Sequence, residues 1–100
     1  MEIPSKIKIG RHWYRVDVKR QLRRKGGMGT VIYADKKIEV ATHSSTSGKG
    51  FKNEEVADTF WHEFVHAVLH EMGEKKLRDD EAFVTRFASI LTRAVLSVGE

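Results

Sequence analysis

The hydrophobic period of the chain changes near its middle. Lys6-Ile7-Lys8-Ile9 alternates polar and apolar, pauses at Gly10-Arg11, and residues 12–18 (HWYRVDV) resume the alternation. A period of two belongs to a strand with one buried face, and Trp13 and Tyr14 favour strands. The two runs predict a hairpin turning at Gly10-Arg11. Residues 21–29 end in Gly26-Gly27-Met28-Gly29 and read as a flexible loop. No Gly-Lys-Ser/Thr follows these glycines and no helix opens behind them, so they do not form a phosphate-binding loop. Residues 30–34 (TVIYA) and 37–41 (KIEVA) predict two more strands. Asp35-Lys36 makes the turn between them, without the glycine usual there. Residues 42–53 are polar and glycine-rich, a connection long enough to act as a lid over a site.

The period then becomes helical. Asn53 can cap a helix whose first turn holds Glu54 and Glu55, and Gly73 can end it. Val56, Phe60, Ala67, Val68, Leu69 and Met72 are apolar, and Trp61, Phe64 and Val65 fill other faces. A helix apolar on most sides is buried on most sides. Residues 75–78 form a charged link. Asp79 or Asp80 can cap a second helix over residues 81–98, whose stripe of Phe83, Phe87, Ile90, Leu91, Ala94 and Val98 keeps helical spacing. The predicted fold class is α+β: a small, mainly antiparallel sheet packed on a two-helix unit.

One hundred residues make one domain and not two. The absence of cysteine excludes a disulfide scaffold, a thiolate metal site and a cysteine nucleophile, and it suits a reducing cytoplasm. The first ten residues lack the apolar stretch of a signal peptide, and no run reaches the roughly 20 apolar residues that span a bilayer. The expectation is a soluble cytoplasmic domain with no membrane partner. Charge is uneven. Residues 1–25 hold nine Lys or Arg against two acids, whereas residues 26–100 hold nine against twelve. Lys19, Arg20, Arg23, Arg24 and Lys25 form the densest cluster, which reads either as a solvated loop or as a contact for nucleic acid. No aromatic interleaves the cluster, so it offers no platform for base stacking.

The chemistry falls on the first helix. His62-Glu63-Phe64-Val65-His66 is an HExxH motif. Two His four apart stack on one helical face, so both imidazoles can reach one Zn²⁺ at roughly 2.0–2.1 Å. Glu63 is rotated about 100° from His62. Its carboxylate flanks the metal, where it can take a proton from the bound water and pass it to a leaving amine. The competing reading is two core histidines satisfied by hydrogen bonds.

A catalytic zinc takes a third protein ligand and keeps one position open. Glu81, fifteen residues after His66, can return to the metal through a helical hairpin. Asp80, Asp79 and His70 are alternatives. On a straight helix His70 lies about 12 Å from His62, too far to share an ion with it, which makes it a supporting or helix-end residue. We favour Glu81. Tyr33, His43 and His70 are candidates to stabilise an oxyanion. His12 reads as an ordinary strand histidine.

Residues 60–69 (FWHEFVHAVL) followed by residues 80–88 (DEAFVTRFA) resemble a minimal gluzincin. They are most similar to the ImmA/IrrE-like zinc metallopeptidases, short phage-encoded members included, and more distantly to SprT-like proteases. The resemblance covers about residues 30–96 and is strongest at HExxH. It implies one Zn²⁺ per chain on His62, His66 and Glu81, with Glu63 as general base and acid. The "FA" segment after the third ligand would be Phe87-Ala88. The strand at 37–41 would be the edge strand beside which a peptide substrate lies. The sequence departs from the family after "FA", where Ser89-Ile90-Leu91-Thr92 stands for Leu-Leu-Met-Pro, and no separate recognition domain is expected within these residues.

The expected function is therefore zinc-dependent hydrolysis of a protein or peptide. The alternatives are a zinc held for structure only, attack on a small amide, and a zinc-stabilised module binding a host protein or nucleic acid through its basic N-terminal segment. The domain plan is a strand-rich part over 1–41 with the basic segment at 19–25, a loop over 42–53, an active-site helix over 54–72 and a C-terminal helix over 80–98.

Overall fold

The computed structural model describes residues 2–23 and 27–98. Arg24 and Lys25 of the basic cluster, and Gly26, lie outside the described residues. Four strands, β1 (Lys6–Ile9), β2 (His12–Lys19), β3 (Gly29–Ile32) and β4 (Lys37–Ala41), form one sheet in the order β1-β2-β4-β3. Three helices follow: α1 (Asn53–Met72), the four-residue α2 (Lys75–Arg78) and α3 (Glu81–Ser97). β1 and β2 form the expected hairpin, with Gly10 supplying the positive φ of its turn. β3 and β4 form a second antiparallel pair, and β2 and β4 run parallel between the hairpins. The fold is α+β, with a mainly antiparallel sheet.

One face of the sheet meets α1. Alternation places Ile7, Ile9, Tyr14, Val16, Val31, Ile38 and Val40 on that face, where Phe60 and Ala67 of α1 close the main core. The faces keep the predicted parity because paired residues on neighbouring strands point the same way. The turn between β3 and β4 works without glycine: Tyr33–Asp35 wind one 3₁₀ turn, and Lys36 takes the left-handed conformation at φ 50°.

Four sequence expectations need correction. Lys52, not Asn53, caps α1; its backbone N–H donates to the Glu55 carboxylate at 2.9 Å, and Asn53 is already helical. The charged link at 75–78 is the helix α2. The strand at 37–41 is internal, because the parallel pairing puts β2 on its other side; β3 is the edge strand. The apolar stripe of α3 is buried only along one edge, where Phe83 and Leu91 pack against Val65, Leu69, Val84 and Ala88. Phe87 and Ile90 are exposed, while Val84, Ala88 and Thr92 pack on Val65 and Leu69 of α1 or lie buried beside them. Small residues let the two helices approach closely, and the Thr92 hydroxyl donates to the Ala88 carbonyl at 2.7 Å. The ends of α1 and α3 otherwise follow the sequence. Gly73 closes α1 at φ 76°, and the Asp80 carboxylate caps α3 by accepting from the Phe83 N–H at 3.1 Å. Among the described residues no helix is long and apolar enough to cross a membrane.

Candidate metal centre

His62, Glu63 and His66 sit in the middle of α1, and α2 turns the chain so that α3 begins beside them. The single turn of α2 brings Glu81, the first residue of α3, back to the two histidines. His62 Nε2 and His66 Nε2 lie 3.2 Å apart. Glu81 places Oε2 3.1 Å from His62 Nε2 and Oε1 2.8 Å from His66 Nε2. Donors about 2.0–2.1 Å from a tetrahedral ion lie roughly 3.3 Å from one another, so these separations suit a single small cation.

The protonation pattern strengthens the fit. His66 Nδ1 is 2.7 Å from the Arg78 carbonyl oxygen. A carbonyl only accepts, so Nδ1 carries a proton, which leaves Nε2 as the nitrogen through which His66 could ligate. Glu81 as a carboxylate is also only an acceptor. Burial holds the His62 imidazole below the usual histidine range, against the pull of Glu81. Acceptors from two helices therefore converge on one point, where a cation would reconcile them. His62, His66 and Glu81 together could hold a metal ion.

The other candidates are occupied elsewhere. Asp79 accepts from Arg78 Nε at 3.0 Å and Asp80 caps α3, and neither belongs to the group that could hold an ion. His70 stacks on Tyr33 with ring centroids 4.3 Å apart and has Nδ1 2.9 Å from an Arg78 amino nitrogen. It is a supporting residue, as the helix geometry requires. His12 bonds Glu71 through Nδ1 at 2.6 Å, outside the groove described next.

The histidines and Glu81 open into a groove of about 840 Å³ between β3, α1 and α3. Glu63 lines it and is almost buried. That burial, with the Glu81 charge adding to it, raises the Glu63 carboxyl to about 7. Tyr33 lines it too, and burial raises its phenol above the usual range. Of the three oxyanion candidates only Tyr33 reaches the groove. His43 instead bridges to Gly50 within the loop at 42–53. That loop, long enough to have served as a lid, contributes nothing to the groove wall; residues 27–31 contribute to it instead.

Two contributors escaped the sequence reading. A Cβ on Gly29 would lie 2.6 Å from the Thr59 methyl and 3.1 Å from Glu63 Oε2, so β3 can approach Glu63 this closely only as glycine. Sequence placed Gly29 in a flexible loop. Arg78 supplies the carbonyl that orients His66, and its guanidinium lies 5.0 Å over the Tyr33 ring. No local pattern marks either role. The chain matches no protein-family model, no curated protein and no solved structure.

Proposed function

We propose that the chain is a zinc-dependent peptidase, with one Zn²⁺ on His62, His66 and Glu81 and Glu63 as the group that moves protons. The observation that carries this reading is the convergence of His62, His66 and Glu81 beside a buried Glu63 carboxyl in one open groove. When bound, the ion supplies Lewis acidity that polarises a carbonyl and acidifies a water. Glu63 supplies the proton traffic. Its carboxyl, beside the metal ligands, can take the proton of the attacking water and return it to the leaving amine. Tyr33, protonated at neutral pH, can donate its O–H into the groove. The free side of β3 borders the groove and suits an extended peptide added as a further strand. This supports a peptide over a small amide. We further propose that the chain is an ImmA/IrrE-like zincin and that it works in the cytoplasm, a setting that suits a chain without cysteine.

The test joins metal content to turnover. The purified chain should hold about one zinc, and both His66→Ala and Glu81→Gln should lose it. Glu63→Gln should keep zinc and lose hydrolysis of casein or denatured protein by about 10²–10⁴-fold. Glu63→Gln turnover equal to that of the parent would sink the catalytic role. Unfolding on chelation, with no effect of Glu63→Gln, would make the zinc structural.

A further inference from the structure

The face of the sheet turned away from α1 is also patterned. Register places Lys6 of β1, Arg15 of β2 and Lys37 of β4 in one row across three strands, and Lys8 directly opposite Trp13. Trp13 is 56% exposed. The Lys6 ammonium lies 4.9 Å from the Trp13 ring centroid. Like charges directly opposite on neighbouring strands destabilise a sheet, so this row works against folding. On the β4 side the conflict is relieved. Asp17 lies 3.7 Å from Arg15 and 3.8 Å from Lys37, and Glu39 lies 2.6 Å from Lys19 and 3.4 Å from Lys37. On the β1 side it is not. Among the described residues neither Lys6 nor Lys8 forms an ion pair. An exposed indole is thus set among Lys6, Lys8 and Arg15, and the same strand runs out into the basic segment at Lys19 and Arg20.

We propose that this outer β1–β2 face binds single-stranded nucleic acid, with Trp13 stacking on a base and Lys6, Lys8 and Arg15 contacting the flanking phosphates. Charge complementarity names a polyanion. The exposed ring selects an unpaired strand among polyanions, because a duplex keeps its base faces covered whereas a single strand presents them. The sequence could not show this: the basic cluster at 19–25 contains no aromatic, and only strand pairing brings Trp13 among Lys6, Lys8 and Arg15. The face lies across the sheet from the metal centre, so this proposal does not depend on the peptidase reading.

The test is fluorescence anisotropy of a labelled 12-nucleotide oligo(dT) titrated with the full chain, from 50 to 200 mM salt. We expect saturable binding whose log K falls with log salt at a slope of about −2, for three phosphates contacted. Trp13→Ala should weaken binding about tenfold, and Trp13→Phe should restore most of it. Lys6→Ala with Lys8→Ala should reduce the slope to about −0.7. Trp13, Lys6 and Lys8 lie on the solvent face, so each variant should fold, which circular dichroism checks. His66→Ala should bind as the parent does. The proposal is overturned by no binding at 50 mM salt, or by Trp13→Ala binding as well as the parent. Equal or tighter binding of a 12-base-pair duplex, heparin or phosphatidylserine vesicles also overturns it.

Discussion

At the scale of single residues, two positions carry expectations that side-chain chemistry alone would miss. Gly29→Ala puts a methyl 2.6 Å from Thr59 Cγ2 and against the Glu63 side chain. Overpacking of this kind costs about 1–3 kcal/mol, and here it also displaces the buried carboxyl. Denaturant melts should show the loss, and adding Thr59→Ser, which deletes the clashing methyl, should recover part of it. Glu71 is the second. It accepts from the buried Tyr14 hydroxyl at 2.6 Å, meets His12 Nδ1 at 2.6 Å, and has the Lys36 ammonium 3.7 Å away. These contacts, the Tyr14 hydrogen bond first, hold its carboxyl below the usual carboxylate value. A depressed pKa contributes stability that is present in full above the unfolded value of about 4.5 and fades as pH falls through the lower folded value. Glu71→Gln should therefore cost about 1 kcal/mol at pH 7 and progressively less below about pH 4.5. Melts at pH 7 and pH 3 check the sign.

The elements show which parts of the molecule can be read locally. His62, Glu63 and His66 were legible because an i, i+4 spacing on a helix fixes its own geometry. Glu81 was one candidate among Asp79, Asp80 and His70, and only the fold sets it apart, by bringing its carboxylate against both His62 and His66. The short α2 was not legible, since four residues with three cations and a single Leu77 carry no period. Its role is mechanical, because Arg78 holds the His66 ring through its carbonyl and is itself held by Tyr33, His70 and Asp79. Partners of this kind set metal affinity by about 10–100-fold. Arg78→Ala should weaken zinc about tenfold in a chelator competition, while Lys75→Ala on the same turn should not. The stripe of α3 was half right, since Phe83 and Leu91 pack on the core while Phe87 and Ile90 face solvent. Periodicity marks a helix but does not say which of two adjacent faces is pressed on its neighbour. Ile90→Ser should change stability by less than about 0.5 kcal/mol, whereas Val84→Ala should cost about 1–3 kcal/mol. Thermal melts of the pair test the assignment of faces.

At the scale of the whole molecule, the strands and the fold class follow from period, but the order of the strands does not. Alternation says which residues share a face; it is silent on which strands are neighbours. Inserting β4 between β2 and β3 converted the expected edge strand into an internal one and moved the groove to β3. It also made the basic outer face, since Lys6, Arg15 and Lys37 share a row only in this order.

That order has a consequence for how the chain reaches its native state. β1–β2 and β3–β4 are local antiparallel ribbons whose turns span few residues, whereas the parallel join of β2 to β4 brings together residues about twenty apart, Val16 beside Ile38 among them. Ribbons of this kind can close in about 1–10 μs, while a non-local seam waits on closure of the intervening chain. The seam is thus the late, rate-setting contact. A conservative truncation at the seam, such as Ile38→Val, should therefore express most of its cost in the folding limb of a chevron plot.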